Sequence, residues 1–138
     1  MKTLLTLILL LTAIPAYAYD FYNVEVTKVY DGDTITVTLP YVHPLLGKKL
    51  GIRIYGIDTP EIRGKCDREK EMALIAKKEV LSAIRINGYK VNLKNCSRGK
   101  YFRAVCEVWT GSNLADDLIH KNLAYPYFGE TKQGWCDE

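Results

Sequence analysis

Histidine is nearly missing from this 138-residue sequence, which holds only His43 and His120. None of its four cysteines sits in a C-x-x-C pair; Cys66, Cys96, Cys106 and Cys136 follow one another at intervals of 30, 10 and 30 residues. Structural zinc takes four N or S ligands, usually from such close pairs, so this composition speaks against a zinc centre. Neither sign of charge dominates, with 19 Lys and Arg against 16 Asp and Glu. A balance so near neutral fits an acidic partner without demanding one, and makes the placement of individual arginines matter more than the overall field. Internal repeats, low-complexity stretches and Pro/Gly-rich linkers are lacking too, which excludes repeat arrays and tethered modules.

Only one long apolar run occurs, Leu4 to Ile14, preceded by Lys2 and followed by Ala16-Tyr17-Ala18. A positive start, an apolar middle and a small-x-small end form an export signal. Its 11 residues are too few to cross a bilayer as a helix, which takes about 20, so a membrane anchor is the weaker alternative. Residues 1–18 are expected to be removed, which leaves 18 basic against 16 acidic residues in a chain starting at Tyr19. That chain is expected to work in a periplasm or outside the cell, off the membrane. Residues 19–138 suffice for a single domain with a real core. An even number of cysteines in an oxidising compartment implies disulfides.

From Tyr22 the pattern is β. Val24 and Val26 alternate with polar residues, and Ile35, Val37 and Leu39 alternate with Thr34, Thr36 and Thr38. Tyr30-Asp31-Gly32-Asp33 is a turn signal between them, with Gly32 available for positive φ. His43-Pro44 and Gly47-Lys48-Lys49 read as an exposed connection to a third strand carrying Ile52 and Ile54 opposite Arg53, Tyr55 and Ile57. Pro60 ends that ladder. Asp67 to about Ile86 is the strongest helix, with Met72, Ala73, Ala76, Val80, Ala83 and Ile84 at three- and four-residue spacing and Asn87-Gly88 as a stop. Strands over Tyr89–Asn95 and Phe102–Trp109 flank the loop Ser97-Arg98-Gly99-Lys100, and Asn113 caps a short helix from Leu114 to about Asn122. This order is α+β, and a small closed barrel of the OB type is one architecture that accommodates it. Of three disulfide pairings, Cys96–Cys106 and Cys66–Cys136 are favoured. The first two cysteines flank a hairpin loop centred near Tyr101, and the second pair ties the tail to the start of the long helix.

Asp33 and Asp58 each sit beside a turn where carbonyl oxygens are free, a setting that suits a hard cation. The alternative is plain turn chemistry, since Asp-Gly-Asp also makes Asx turns. Arg53 lies between Ile52 and Ile54; an Arg so flanked is costly to bury unless an anion meets it, and its planar fork fits a phosphate. Its other reading is an ion pair with Asp58 or Glu61, and Arg103 has the same two readings. Glu61, three residues after Asp58, is a candidate general base or else a capping carboxylate.

Taken together, Val29-Tyr30-Asp31-Gly32-Asp33-Thr34, then Arg53-Ile54-Tyr55-Gly56-Ile57-Asp58-Thr59-Pro60-Glu61, then Lys100-Tyr101-Phe102-Arg103, resemble the staphylococcal-nuclease (thermonuclease) family, over roughly Val24 to Ala124. The resemblance implies a five-stranded OB-type barrel with flanking helices and calcium-dependent hydrolysis of DNA or RNA to 3′-phosphate ends. It assigns Asp33, Asp58 and the Thr59 carbonyl to calcium, Glu61 to the attacking water, Arg53 and Arg103 to the phosphate, and Lys100 and Tyr101 to the nucleotide. Tyr125 and Tyr127 are candidates for further nucleotide contacts, with core packing as their alternative. The chain departs from the family in a longer connection from Pro40 to Leu50 and in a tail of only 14 residues after Ala124, where Trp135 is left to anchor the C-terminus. No stable protein partner is implied, and a monomer is expected.

Two rival functions follow from the same residues. A non-catalytic OB module would use aromatics and arginines to bind nucleic acid without cutting it. A metal-independent ribonuclease would need His43 and His120 as an acid–base pair, for which nothing around either residue speaks.

Overall fold

A computed structural model describes residues 18–136, so the expected leader, apart from Ala18, lies outside the described residues. The chain runs β1 (Tyr19–Val29), β2 (Thr34–Thr38), a one-turn helix α1 (Pro44–Gly47), β3 (Leu50–Ile54), β4 (Ile57–Asp58), α2 (Asp67–Ile86), β5 (Lys90–Arg98), β6 (Arg103–Trp109), α3 (Leu114–His120) and β7 (Tyr125–Pro126). Strands β1-β2-β3-β6-β5 close into a five-stranded barrel, while β4 and β7 make a separate two-stranded sheet. This is the OB-type α+β architecture that the resemblance implied.

Alternation builds the barrel interior. Val24, Val26 and Val29, Ile35 and Val37, Ile52 and Ile54, Val91 and Leu93, and Cys106 and Val108 all point inward and are buried. Each such branched or aliphatic side chain contributes about 1.5–3 kcal/mol by leaving water, so a one-residue slip of any strand would forfeit several of them. The long helix α2 lays Ala76, Val80 and Ile84 against this core and buries Ala73 as well, at the spacing read from the sequence. It ends where Gly88 turns to φ +68, as a C-terminal glycine does. The expected exposed connection after β2 contains the helical turn α1, started by His43, whose Nδ1 accepts from Leu45 N–H at 3.2 Å. Gly47 in that turn is buried, a correction to the all-exposed reading.

Closure comes from β3 pairing parallel with β6, the other barrel pairs being antiparallel. Gly51 stands beside Arg103 and Arg53 beside Val105, so both arginines leave the barrel on the same outward face of neighbouring strands. A Cβ on Gly51 would sit 3.1 Å from the Arg103 Cγ, so the glycine makes room for the Arg103 stem. Cys96–Cys106 and Cys66–Cys136 are the two disulfides. Cys96 and Cys106 are not ladder partners; their bridge lies in a bulge, because the register jumps between Lys94 and Ser97 where Asn95 takes φ 52. That bulge also carries β5 on to Arg98, three residues past the end read from the sequence.

The β5–β6 hairpin turns on Tyr101 and Phe102, with φ 56 and 58, and Arg103 N–H donates to the Lys100 carbonyl at 3.2 Å. Positive φ at both central residues is a type I′ turn, a place that ordinarily draws Asn-Gly. Two aromatics with a Cβ pay about 1–2 kcal/mol each for the left-handed conformation. Replacing Tyr101-Phe102 by Asn-Gly is therefore expected to stabilise the fold by about 1–2 kcal/mol. Chemical denaturation measures this, and a less stable variant would show that packing of the two rings outweighs the strain.

Candidate functional site

The segment Asp31-Gly32-Asp33 joins β1 to β2 as a tight turn: Tyr30 N–H donates to the Thr34 carbonyl at 2.9 Å, and Asp33 N–H donates to Asp31 Oδ1 at 3.1 Å. Asx-turn chemistry is thus present, and it buries the Asp33 carboxylate, whose residue is 6 % exposed. Burial, followed by the nearby charge of Asp33, raises the Asp31 carboxyl pKa to about 6. Gly32 does not use positive φ, contrary to expectation. Its role is close approach: a Cβ there would meet Thr59 Cβ and Oγ1 at 2.9 Å and Ala76 Cβ at 3.0 Å. The missing side chain lets the first acidic turn press against the second acidic segment.

That second segment begins in β4, where Asp58 pairs with Tyr125 of β7 instead of continuing β3. Asp58 and Thr59 are buried, at 4 % and 2 % exposure. The loop that follows is held from inside by Glu69, a buried carboxylate on the first turn of α2. Its Oε1 accepts from Glu61 N–H at 3.2 Å and its Oε2 from Lys65 N–H at 2.8 Å. Glu69 was not singled out from the sequence. Its position three residues after the helix cap Cys66, where a capping-box Glu belongs, was the available signal.

Arg53 links the two acidic segments. Its Nη1 lies 2.5 Å from Asp33 Oδ2, its Nη2 3.7 Å from Asp58 Oδ1, and Nη2 donates to the Ile57 carbonyl at 3.0 Å. Of the ion pairs expected for Arg53, the one with Asp58 is present only loosely, and the near partner is Asp33, which the sequence reading does not name. Asp58 Oδ1 is fully buried and, among the described residues, accepts no hydrogen bond of good geometry. Its charge is met by Lys132, whose Nζ stands 2.7 Å from Asp58 Oδ1 and 3.5 Å from Glu61 Oε1. Burial by itself would lower the Lys132 pKa, but the Asp58 carboxylate outweighs it and the pKa is raised. Nothing in sequence periodicity marks Lys132, which reaches the acids only through the fold of the tail.

Asp33, Arg53, Thr59, Glu61 and Lys132 open onto a cleft of about 1140 Å³, and Asp58 is not among its lining residues. Arg63, Arg98, Lys100, Arg103 and Lys132 line it together with Arg53, and Tyr30 and Tyr127 supply ring faces. Arg103 Nε is buried with no hydrogen-bond partner among the described residues, and its guanidinium lies 5.8 Å from the Tyr101 ring centroid. Tyr101 itself is largely exposed at the turn. Of the two C-terminal tyrosines, Tyr127 lines the cleft, whereas Tyr125 stacks on Trp135 at 4.1 Å beneath the tail. Neither histidine is among the lining residues.

The Asp33 and Asp58 carboxylates and the Thr59 carbonyl offer oxygen ligands only, a set that fits a hard cation once Lys132 gives way at Asp58. The sulfur-containing cluster Cys66, Glu69 and Cys136 does not, because both sulfurs are spent in a disulfide. A row of guanidinium forks next to such a centre can grip a phosphate bidentately.

Removing the Glu69 carboxylate would leave two backbone N–H groups without their charged acceptor, at about 1.5–3 kcal/mol for each such bond. Glu69→Ala is expected to lose about 3–6 kcal/mol for the two bonds together in urea denaturation, and Glu69→Gln, which keeps an acceptor, clearly less. Equal losses would assign the effect to packing instead.

The sequence has no match among curated proteins. The model of a protein family described as staphylococcal nuclease homologue matches residues 51–136, a span that holds Arg53, Asp58, Glu61, Lys100 and Arg103 and ends on the disulfide-bonded Cys136. With a match over more than half the chain and the closed five-stranded barrel to carry it, this protein belongs to the staphylococcal nuclease homologue family.

Proposed function

We propose that the chain is an exported, calcium-dependent phosphodiesterase that cleaves DNA, RNA or both by attack of water, leaving 3′-phosphate ends. The observation that carries this reading is the pair of buried carboxylates, Asp33 and Asp58, bridged by Arg53 at the edge of a cleft lined with six Arg and Lys side chains. Structural ion pairs do not need such a surplus of cations opening to solvent, whereas a polyanion does.

In this reading the Asp33 and Asp58 carboxylates and the Thr59 carbonyl hold calcium, which supplies Lewis acidity at a phosphoryl oxygen when bound. Glu61 is 64 % exposed in its side chain and its backbone is pinned by Glu69, so it can take a proton from water without being sequestered. Arg53 and Arg103 bind the phosphate and stabilise the charge that grows on its oxygens; the unpartnered Arg103 Nε is a donor available for that task. Lys100, Tyr101 and Tyr127 hold the flanking nucleotide, and Tyr125 serves packing instead. Residues 1–18 act as leader and 19–138 as one nuclease domain, working as a monomer. Two disulfides suit an oxidising compartment, and no helix among the described residues is long and apolar enough to cross a membrane.

Cleavage of end-labelled single- and double-stranded DNA and RNA with calcium, magnesium or chelator tests the reading. Activity is expected with calcium and lost with chelator, and Asp33→Ala or Asp58→Ala should lose calcium binding and activity together. Tight binding with no cleavage under any condition would replace the enzyme with a nucleic-acid-binding barrel. For Arg103→Ala, kcat is expected to fall by about 10²–10³ with little change in thermal midpoint. Arg103→Lys should recover little, since an ammonium lacks the fork. A variant that melts early yet keeps its turnover would remove Arg103 from the chemistry.

A further inference from the structure

The tail after β7 is exposed from Phe128 to Gly134 but fixed at both ends. On one side Tyr127 N–H donates to the Gly56 carbonyl at 2.9 Å. On the other, Trp135 is buried on Tyr125, and Cys136 is bonded to Cys66 at the start of α2. Between these anchors Lys132 turns inward onto Asp58 and Glu61, and its Nζ also lies 5.8 Å from the Tyr127 ring centroid. The contact is the only one that the tail makes with the acidic segment among the described ion pairs.

We propose that Lys132 is a tethered competitor for the cation at Asp58, held there by the Cys66–Cys136 disulfide, so that the tail sets the calcium affinity of the site. The inference rests on the reading of Asp33 and Asp58 as cation ligands. Two features support competition over permanent neutralisation. An ammonium is a compact, strongly hydrated charge on a flexible stem, easily exchanged for another cation. The Lys132 side chain is 46 % exposed, so its head can swing into solvent without being buried elsewhere. Arg53, by contrast, is locked by Asp33 and by the Ile57 carbonyl and stays in place.

Tethering makes the competition strong. A free ammonium would be dilute, whereas one held by anchors on both sides acts at a high effective concentration. Opening the disulfide leaves every charge on the chain but releases one anchor. Loss of competition therefore separates from a general field effect, which depends on charge alone.

The test is calcium binding by isothermal titration calorimetry, without nucleic acid, on the wild type, Lys132→Gln, Cys66→Ser/Cys136→Ser, and all three changes combined. Lys132→Gln is expected to tighten calcium by about three- to tenfold, the scale for losing one half-exposed opposing charge. The double serine variant, measured below its melting temperature, should tighten calcium in the same direction. The combined variant should gain little beyond Lys132→Gln, because the two changes remove one interaction. Unchanged or weaker calcium binding in Lys132→Gln overturns the competition. Tightening in Lys132→Gln with none in the serine variant overturns the role of the tether. Calcium binding that survives Asp58→Ala unchanged shows that the site reading itself has failed.

Discussion

The guanidinium of Arg53 is held at once by two pieces of chain: the β1–β2 turn through the Asp33 carboxylate, and β4 through the Ile57 carbonyl and, more loosely, the Asp58 carboxylate. Two buried carboxylates so close together would repel each other and pay for desolvation if nothing lay between them. Arg53 removes that penalty, and in doing so it fixes the distance between the two acidic segments. The packing of Gly32 against Thr59 and Ala76 enforces the same distance from the apolar side. Everything proposed for the site depends on this bridge, because a cation centre built from two separate turns needs both turns in one place.

The barrel supplies the remaining geometry. A parallel β3–β6 pair is the exception in an otherwise antiparallel barrel, and it is what sets Arg103 beside Gly51, two residues from Arg53 on the same face. The hairpin that delivers Arg103 turns through two aromatics in left-handed conformation. Strain of this kind persists only where surrounding structure over-determines it, and it gathers at functional positions. Here the hairpin is pinned close to its tip by the Cys96–Cys106 disulfide within the β5 bulge.

The tail after β7 is fixed by covalent and aromatic contacts. Cys136 bonds to Cys66, and Trp135 stacks on Tyr125, which itself pairs with Asp58. One small region therefore joins the helix start, the tail and an acid of the site. The buried Glu69 belongs to the same region, holding the Glu61 loop from beneath while Cys66 caps the helix above it.

Periodicity alone determined the centres of the barrel strands, the α2 span Asp67–Ile86 and its buried face, because spacings of two and of three to four residues report directly on which side chains leave water; it missed the break after Ile54, the bulged extension of β5 and the β4–β7 pair. The order of the motifs determined the family. Local chemistry also marked the acidic turn, though it could not say that Gly32 serves contact and not φ, since the atoms it avoids lie on Thr59 and Ala76. Closure of the barrel, the choice of Asp33 as the near partner of Arg53, the parting of Tyr127 from Tyr125, and the arrival of Lys132 at Asp58 were decided by tertiary structure alone. Each joins residues far apart in the chain, and sequence spacing carries no information about contacts that only a closed barrel and a bonded tail bring together.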